Sequence, residues 1–118
     1  MIELSHTKLD VWKAGIELTT RIYDLTREFP QAEQYGLSAQ MRRAAISIPS
    51  NISEGASRSS SSERKRFYEI SRSSLVELDT QLEVARKLNY LKQRNLEELD
   101  EKFNHLFAML SNLITNTK

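Results

Sequence analysis

Cysteine is absent from the chain, which excludes a disulfide framework, a thiolate nucleophile and a cysteine-based zinc site. Only three glycines and two prolines occur in 118 residues, and this scarcity argues against a turn-rich β fold. No apolar run approaches the ~18–20 residues of a membrane span, and the first residues lack a signal-peptide pattern. We therefore expect one domain over residues 1–118, cytoplasmic and without a membrane partner.

Groups that carry out catalysis are also scarce. The only histidines are His6, near the start of the chain, and His105, which stands between apolar Phe103 and Leu106. A serine nucleophile needs a neighbouring base, and no motif brings one to it. Glu101 and His105 are four residues apart, but no other predicted helix supplies a histidine for a di-metal carboxylate site. We expect no enzyme, no catalytic residue, no metal and no cofactor.

Apolar residues recur at the three- and four-residue spacing of amphipathic helices. The pattern predicts four helices, at about residues 8–29, 36–55, 61–88 and 94–115. Pro30 is expected to end the first helix, because its ring makes helical geometry unfavourable for the residue before it. The connections are short, so the sequence predicts an all-α, antiparallel up-down-up-down four-helix bundle.

Local signals also mark where helices begin and end. Gly55 is expected to end the second helix in a left-handed conformation. Ser60 with Glu63, and Asn95 with Glu98, have the spacing of a capping box at the starts of helices three and four.

The first two helices carry apolar or small side chains on two faces, which is more than one bundle contact needs. The second face predicts an oligomer interface that includes Val11, Leu18, Ala39, Ile46, Ser50 and Ser53. Pro49 should kink the second helix, since it removes an amide donor and crowds the Ala45 carbonyl. Such a kink either shapes an interface and aims Arg42 and Arg43, or fits the helix to a curved bundle.

Positive charge is concentrated in the middle of an otherwise nearly neutral chain. Residues 42–72 carry seven basic and three acidic side chains, for +4, whereas the whole chain carries +1. Phosphate contacts supply most non-specific nucleic-acid affinity. The candidate phosphate-binding residues are Arg42, Arg43, Arg58, Arg64, Lys65 and Arg66, with possible stacking surfaces at Tyr35, Tyr68 and Tyr90. An ordinary solvated helix face is the alternative interpretation.

Several linked motifs in one order carry a family resemblance over about residues 8–116. They are Leu9-Asp10-Val11-Trp12-Lys13-Ala14, Ile22-Tyr23, Phe29-Pro30, Tyr35-Gly36-Leu37, Gln40-Met41-Arg42-Arg43-Ala44-Ala45, Ser47-Ile48-Pro49, Asn51-Ile52, Glu54-Gly55, Arg58, Ser74-Leu75, Glu77-Leu78, Thr80-Gln81-Leu82 and Tyr90-Leu91. The chain resembles the four-helix bundle family encoded by intervening sequences in bacterial 23S ribosomal RNA genes. Asn89, which suits the end of the third helix, stands where that family more often has glycine, and asparagine also tolerates the left-handed conformation.

The resemblance implies a bundle that assembles into a pentameric ring, without enzymatic activity and with nucleic-acid association as the usual inference. A similar bundle, the accessory variability determinant of diversity-generating retroelements, binds a reverse transcriptase and nucleic acid. Arg42, Arg43 and Arg58 match motif positions, and they could instead hold a subunit interface through Glu54 or Glu77. The sequence thus predicts a non-catalytic homo-oligomer that binds RNA or DNA, with a protein-interaction scaffold or accessory subunit as the alternative.

Overall fold

Four α-helices and no strand make up the described part of the protein, residues 10–118 of a computed structural model. The helices are α1 (Asp10–Thr26), α2 (Leu37–Ala56), α3 (Ser61–Lys87) and α4 (Gln93–Asn116), with a 3-10 turn at Gln31–Glu33. The predicted all-α fold of four helices is confirmed. The predicted helix start at Lys8, and the histidine at position 6, lie outside the described residues. Among the described helices, none combines the length and apolarity needed to cross a membrane.

One apolar core joins all four helices. Its most completely buried side chains include Ile22 of α1, Met41 and Ile48 of α2, Leu78 of α3 and Leu106 of α4. Helix α2 makes its most extensive contact with α3 and its next with α1, and the smallest contact between helices that do touch is that of α1 with α4. Removing these side chains from water is the main stabilisation of the fold.

The face of α1 that carries Val11 and Leu18 lies in this core, and Trp12 of the neighbouring face packs against its edge. Val11 is 5% exposed and Leu18 is 2% exposed, and both pack inside the chain. Their predicted place in an oligomer interface is therefore corrected, because their side chains already fill the core of their own subunit. The neighbouring face lies nearer solvent, with Trp12 half-buried and Ile16 exposed.

A proline and a glycine bring α1 and α2 close together. Pro49 lies inside α2, which continues to Ala56. A Cβ atom on Gly15 would lie 3.5 Å from the Pro49 ring, an ordinary contact distance, so the two helices approach closely here with room for one added methyl group. The Thr19 hydroxyl donates to the Ala45 carbonyl at 3.0 Å. In an ordinary helix the amide of residue 49 would donate to this carbonyl, but Pro49 has no N–H group. The kink itself stays a prediction.

Close packing of α2 against α3 gives Gly55 a different role from the predicted one. No described glycine has a positive φ, and Gly55 lies within α2, which ends at Ala56. A Cβ atom there would lie 2.8 Å from Cε1 of Tyr68. The prediction of a left-handed terminator is wrong because the position is occupied by a helical residue that lets Tyr68 approach. Tyr68 is accordingly buried, while Phe67 is only half-buried.

Serine hydroxyls form a polar seam in the same contact. Ser71 donates to the Ile48 carbonyl at 2.8 Å, and the hydroxyls of Ser47 and Ser74 lie 2.7 Å apart. Small hydroxyl side chains permit a close helix approach and satisfy their own hydrogen-bonding groups there.

The ends of α3 follow the local sequence signals. Ser60 accepts a hydrogen bond from the Glu63 amide at 3.2 Å, which confirms the serine half of the predicted box. Asn89 adopts φ 61° just beyond the helix, and the Tyr90 amide donates to the Ala85 carbonyl at 3.0 Å. This is the hydrogen bond of a Schellman motif, with asparagine at the left-handed position.

The predicted capping box of α4 does not form. The helix begins at Gln93, and no side chain caps it. Asn95 and Glu98 instead accept hydrogen bonds from Arg21 of α1, at 2.8 and 3.1 Å. These two side chains tie α4 to α1, so a tertiary contact has replaced the local one.

Candidate nucleic-acid interface

Four of the six predicted basic residues meet where α2 turns into α3. Arg58 follows the end of α2, and Arg64, Lys65 and Arg66 lie in the first two turns of α3. We call these four residues the basic corner. The ring of Phe67 organises it, since the guanidinium carbons of Arg58 and Arg66 lie 4.9 and 5.3 Å from its centroid. Both distances suit cation–π contact, which holds each guanidinium against the ring.

The remaining contacts of the basic corner are with its own loop. Arg58 forms an ion pair with Glu54, one turn earlier. Arg64 donates to the carbonyls of Ser59 and Arg58 at 2.8 and 3.3 Å, so it stabilises the connection between the helices. Lys65 is exposed and has no side-chain partner among residues 10–118.

The position of these cations carries an electrostatic cost. The first turns of a helix concentrate the positive end of its dipole, where an acidic residue such as Glu63 is favourable and cations are not. The helix dipole therefore does not favour Arg64, Lys65 and Arg66 at the start of α3, although Arg64 stabilises the adjoining loop through its carbonyl contacts. The three cations and the positive end of the dipole together form a surface suited to an anion.

Arg42 lies well away from the basic corner. It donates to the Thr26 hydroxyl at 2.8 Å and to the Tyr23 carbonyl at 3.3 Å, and its guanidinium lies 4.6 Å from the Tyr23 centroid. It thus binds the C-terminal turn of α1, the negative end of that helix. At about 1.5 Å per residue, roughly 21 Å of α2 separates it from Ala56. The six predicted residues therefore do not form one site.

Arg43 differs from its neighbour. It is exposed, and no side-chain partner contacts it within residues 10–118. It projects from the outer side of α2, where it is available to a phosphate or to another subunit.

The three tyrosines proposed as stacking surfaces have different surroundings. Tyr68 is buried, and burial raises the pKa of its hydroxyl despite the opposing charge of Arg64. Tyr90 donates to Glu33 at 2.9 Å, and that hydrogen bond is the main reason its pKa is raised. Its ring packs against Phe29, with centroids 5.3 Å apart. Only Tyr35 presents an exposed ring, and it lies outside the basic corner.

The outer face of α2 retains four of the six residues predicted for an oligomer interface. Ile46 is 44% exposed, Ser50 is exposed, and Ala39 and Ser53 are half-buried. The Ser53 hydroxyl donates to carbonyls of its own helix, at Ser50 (3.0 Å) and Pro49 (3.2 Å). This face is therefore small, weakly polar and open.

An apolar groove between α3 and α4 was not expected from the sequence. Val76 is 52% exposed and Phe107 is 42% exposed, beside buried Leu75 and Phe103. The apolar periodicity of α4 predicts that Phe107 faces inward, and that prediction is wrong. Arg72 lies over its ring at 5.6 Å and donates to Ser111 at 3.1 Å. The single signal available in the sequence was that Val76 falls outside the core stripe of α3.

Carboxylates and histidine do not converge into a metal centre in the described residues. His105 is exposed and shares a shallow surface depression with Glu98, Glu101 and Lys102.

Comparison with known families identifies the group to which the sequence is related. Residues 7–112 match the 23S rRNA-intervening sequence protein family. The chain belongs to this family. The match includes the basic corner, Arg42, Arg43 and all of the described fold except the last residues of α4. A search of curated proteins finds no significant match. The family resemblance inferred from the motifs is thus confirmed.

Proposed function

We propose that this protein is a non-catalytic homo-oligomer that associates with RNA or DNA through the basic corner. The observation that carries the proposal is the placement of four cations in the loop after α2 and the first two turns of α3, with Arg58 and Arg66 on the ring of Phe67. Membership of the 23S rRNA-intervening sequence family supports it, since the genes of such proteins are named for an RNA.

Guanidinium groups at the basic corner suit phosphate better than they suit a neutral ligand. Arg58 and Arg66 rest on Phe67, which limits their freedom before binding and so lowers the entropy cost of a phosphate contact. Lys65 adds an exposed charge that has no partner in the described part of the chain. Glu54 offsets part of the charge of Arg58, so we expect about three phosphate contacts for each subunit.

Assembly would place several copies of the basic corner on one particle and so increase the affinity of that particle for a polymer. We expect an antiparallel up-down-up-down bundle that forms a ring of five subunits, as the family resemblance implies. The contacts of Thr19 with Ala45 and of Thr26 with Arg42 support opposed directions for α1 and α2. Each added subunit brings another weak phosphate site to the same polymer, which increases affinity without any new contact.

The outer face of α2 is the surface we propose for this assembly. Ile46→Glu should reduce the particle to a subunit of 13.7 kDa, because it places a charge in the middle of that face. Light scattering after gel filtration measures the mass. Val84→Glu, at an exposed valine of α3, is the matched control and should keep the oligomer. A single-subunit mass for the unaltered protein would contradict the assembly.

Fluorescence anisotropy tests the nucleic-acid role directly. The protein is titrated into a structured RNA and a matched duplex DNA, from ~50 to ~200 mM salt. Replacing Arg64, Lys65 and Arg66 together by Ala should weaken binding and make the slope of log affinity against log salt shallower by about 2–3 for each engaged subunit.

A second triple variant controls for total charge. Lys13, Lys87 and Arg94 are exposed cations outside the basic corner, and their joint replacement by Ala removes the same charge. It should change the salt slope little. No binding at the lowest salt, or equal effects of the two triple variants, would remove the basic corner from the function.

A protein-interaction scaffold is the second candidate, and the groove between α3 and α4 favours it. Its exposed Val76 and Phe107 surround a cavity of about 230 Å³ that could receive an apolar side chain of a partner. This function predicts stoichiometric co-purification of one defined protein, lost in Val76→Asp. It also predicts that nucleic acid fails to bind at low salt.

A further inference from the structure

A pocket at the start of α2 has a lining that contains cations and no carboxylate. It lies between the end of α1, the connecting turn and the first turns of α2, and its volume is about 380 Å³. Arg27 and Arg42 contribute the charge, while Gln31, Gln34 and Ser38 contribute neutral polar groups. The pocket is within the size range of small-ligand sites.

Ser38 provides an unused hydroxyl in this pocket. The residue is only 6% exposed, and its hydroxyl has no hydrogen-bond partner among residues 10–118. Because this hydroxyl keeps contact with solvent in a residue that is otherwise nearly buried, it can donate to a water or to a ligand in the pocket.

Backbone donors lie at the same end of α2. The Leu37 amide donates to Glu33 at 3.2 Å and the Gln40 amide to the Gly36 carbonyl at 3.0 Å. The amides of Ser38 and Ala39, between them, have no acceptor in the described chain. Unpaired amides at a helix start, with the positive end of its dipole, favour an anion.

Arg42 adds a positioned charge to these neutral donors. Its bonds to Thr26 and Tyr23 fix the guanidinium, but they leave most of its N–H groups unused. Arg27 contributes less, because it forms an ion pair with Asp24. The Glu33 carboxylate of the connecting turn accepts from the Leu37 amide and from Tyr90, and it does not line the pocket.

We propose that this pocket binds the phosphate group of a phosphate monoester through Ser38, the first-turn amides of α2 and Arg42. The lining offers donors of three kinds, from a hydroxyl, from amides and from a guanidinium, and a phosphate has enough oxygens to accept from all of them. This phosphate pocket is separate from the basic corner, at the opposite end of α2, and does not depend on its role.

Amide chemical shifts in solution test the phosphate pocket. Inorganic phosphate is titrated into the full chain against chloride at equal ionic strength, and the Ser38 and Ala39 amides should show the largest changes. Ser38→Ala keeps the helix and should weaken phosphate binding about tenfold, since it removes a hydrogen bond to a charged group. Arg42→Gln should weaken it by at least as much.

Two controls separate this site from general charge. Arg43→Gln removes the adjacent exposed arginine, which does not line the pocket, and should change phosphate affinity less than about twofold. The triple alanine variant of the basic corner should also leave it unchanged. Equal shifts with chloride, loss of binding in the basic-corner variant, or full affinity in Ser38→Ala and Arg42→Gln would overturn the proposal.

The source of the phosphate group is distinguished with two further probes. Adenosine monophosphate represents a free ester, and a short RNA with a 5′-phosphate represents a strand end. Tighter binding of the RNA than of its 5′-hydroxyl counterpart, with shifts at Ser38, would assign the strand end. Equal affinity for the two RNAs, together with binding of the mononucleotide, would assign the free ester.

Discussion

The hydroxyl of Thr19 should stabilise the fold by satisfying a carbonyl that Pro49 leaves without its helical donor. The two atoms, Thr19 Oγ1 and the Ala45 oxygen, lie 3.0 Å apart, and Ala45 is fully buried. Thr19→Val keeps the shape of the side chain and removes only this donor. A buried acceptor left unpaired costs about 1–3 kcal/mol, and we expect the lower half of that range. The same hydroxyl lies 2.8 Å from the Gly15 carbonyl, so its proton is shared.

A double-mutant cycle with Pro49→Ala isolates the effect. Alanine restores an amide at position 49, which can donate to the Ala45 carbonyl as in an ordinary helix. In that background Thr19→Val should cost less by about 1 kcal/mol. Urea denaturation measures the four variants. With a slope of about 1–2 kcal/mol per M, that coupling corresponds to a midpoint change of roughly 0.5–1 M.

Thr20 offers a matched control next to Thr19. Its hydroxyl donates to the Glu17 carbonyl of its own helix at 2.9 Å and is exposed. Thr20→Val should therefore have a small effect that is the same whether proline or alanine occupies position 49. Equal costs of Thr19→Val in the two backgrounds would refute the reasoning, because the hydroxyl would then contribute nothing specific to the carbonyl that proline leaves free.

Three further predictions concern glycine, asparagine and tyrosine. In urea denaturation Gly15→Ala should change stability little or raise it by up to ~1 kcal/mol, since its added Cβ finds ordinary contacts and alanine favours helix. Gly55→Ala should destabilise by about 1–3 kcal/mol, because its Cβ would lie 2.8 Å from Tyr68, and equal effects of the two changes would contradict the packing argument. Asn89→Ala should lower the thermal midpoint and Asn89→Gly should not, because φ is 61° there. Burial raises the pKa of the Tyr68 hydroxyl above its ordinary value of 10.0, so this tyrosine ionises in the unfolded chain at a lower pH than in the folded one. The stability it contributes is therefore lost as the pH rises from 10.0 through the folded pKa. In alkaline denaturation Tyr68→Phe should lessen this loss, while Tyr35→Phe should not.

The features predicted correctly from sequence are those whose causes are local. The Ser60 cap depends on an amide three residues away, and Asn89 ends α3 through its own backbone preference. The existence of four helices follows from apolar periodicity in the same way. Each of these needs no knowledge of a distant residue, so the sequence alone suffices.

The wrong predictions concern residues whose partners are far away in sequence. Gly55 has the composition signal of a helix end, but Tyr68 of α3 determines its role. Asn95 and Glu98 have the spacing of a capping box, yet Arg21 of α1 binds both. Local capping preference stabilises a helix end only weakly, and a tertiary hydrogen bond between charged groups stabilises the alternative arrangement more.

The sequence predicted how many basic residues the candidate site region contains, but it did not predict where their side chains lie or what they contact. Of the seven basic residues between positions 42 and 72, Arg42 binds the end of α1, Arg72 binds Ser111 of α4, and Arg58 pairs with Glu54. The count of +4 therefore overstates the charge that a polymer would meet in one place. What remains at the corner is a smaller group of cations on a single turn. Under the proposed function, a group of that size would need repetition to bind a polymer strongly, so the number of subunits in the proposed assembly would determine how much nucleic-acid affinity the basic corner provides.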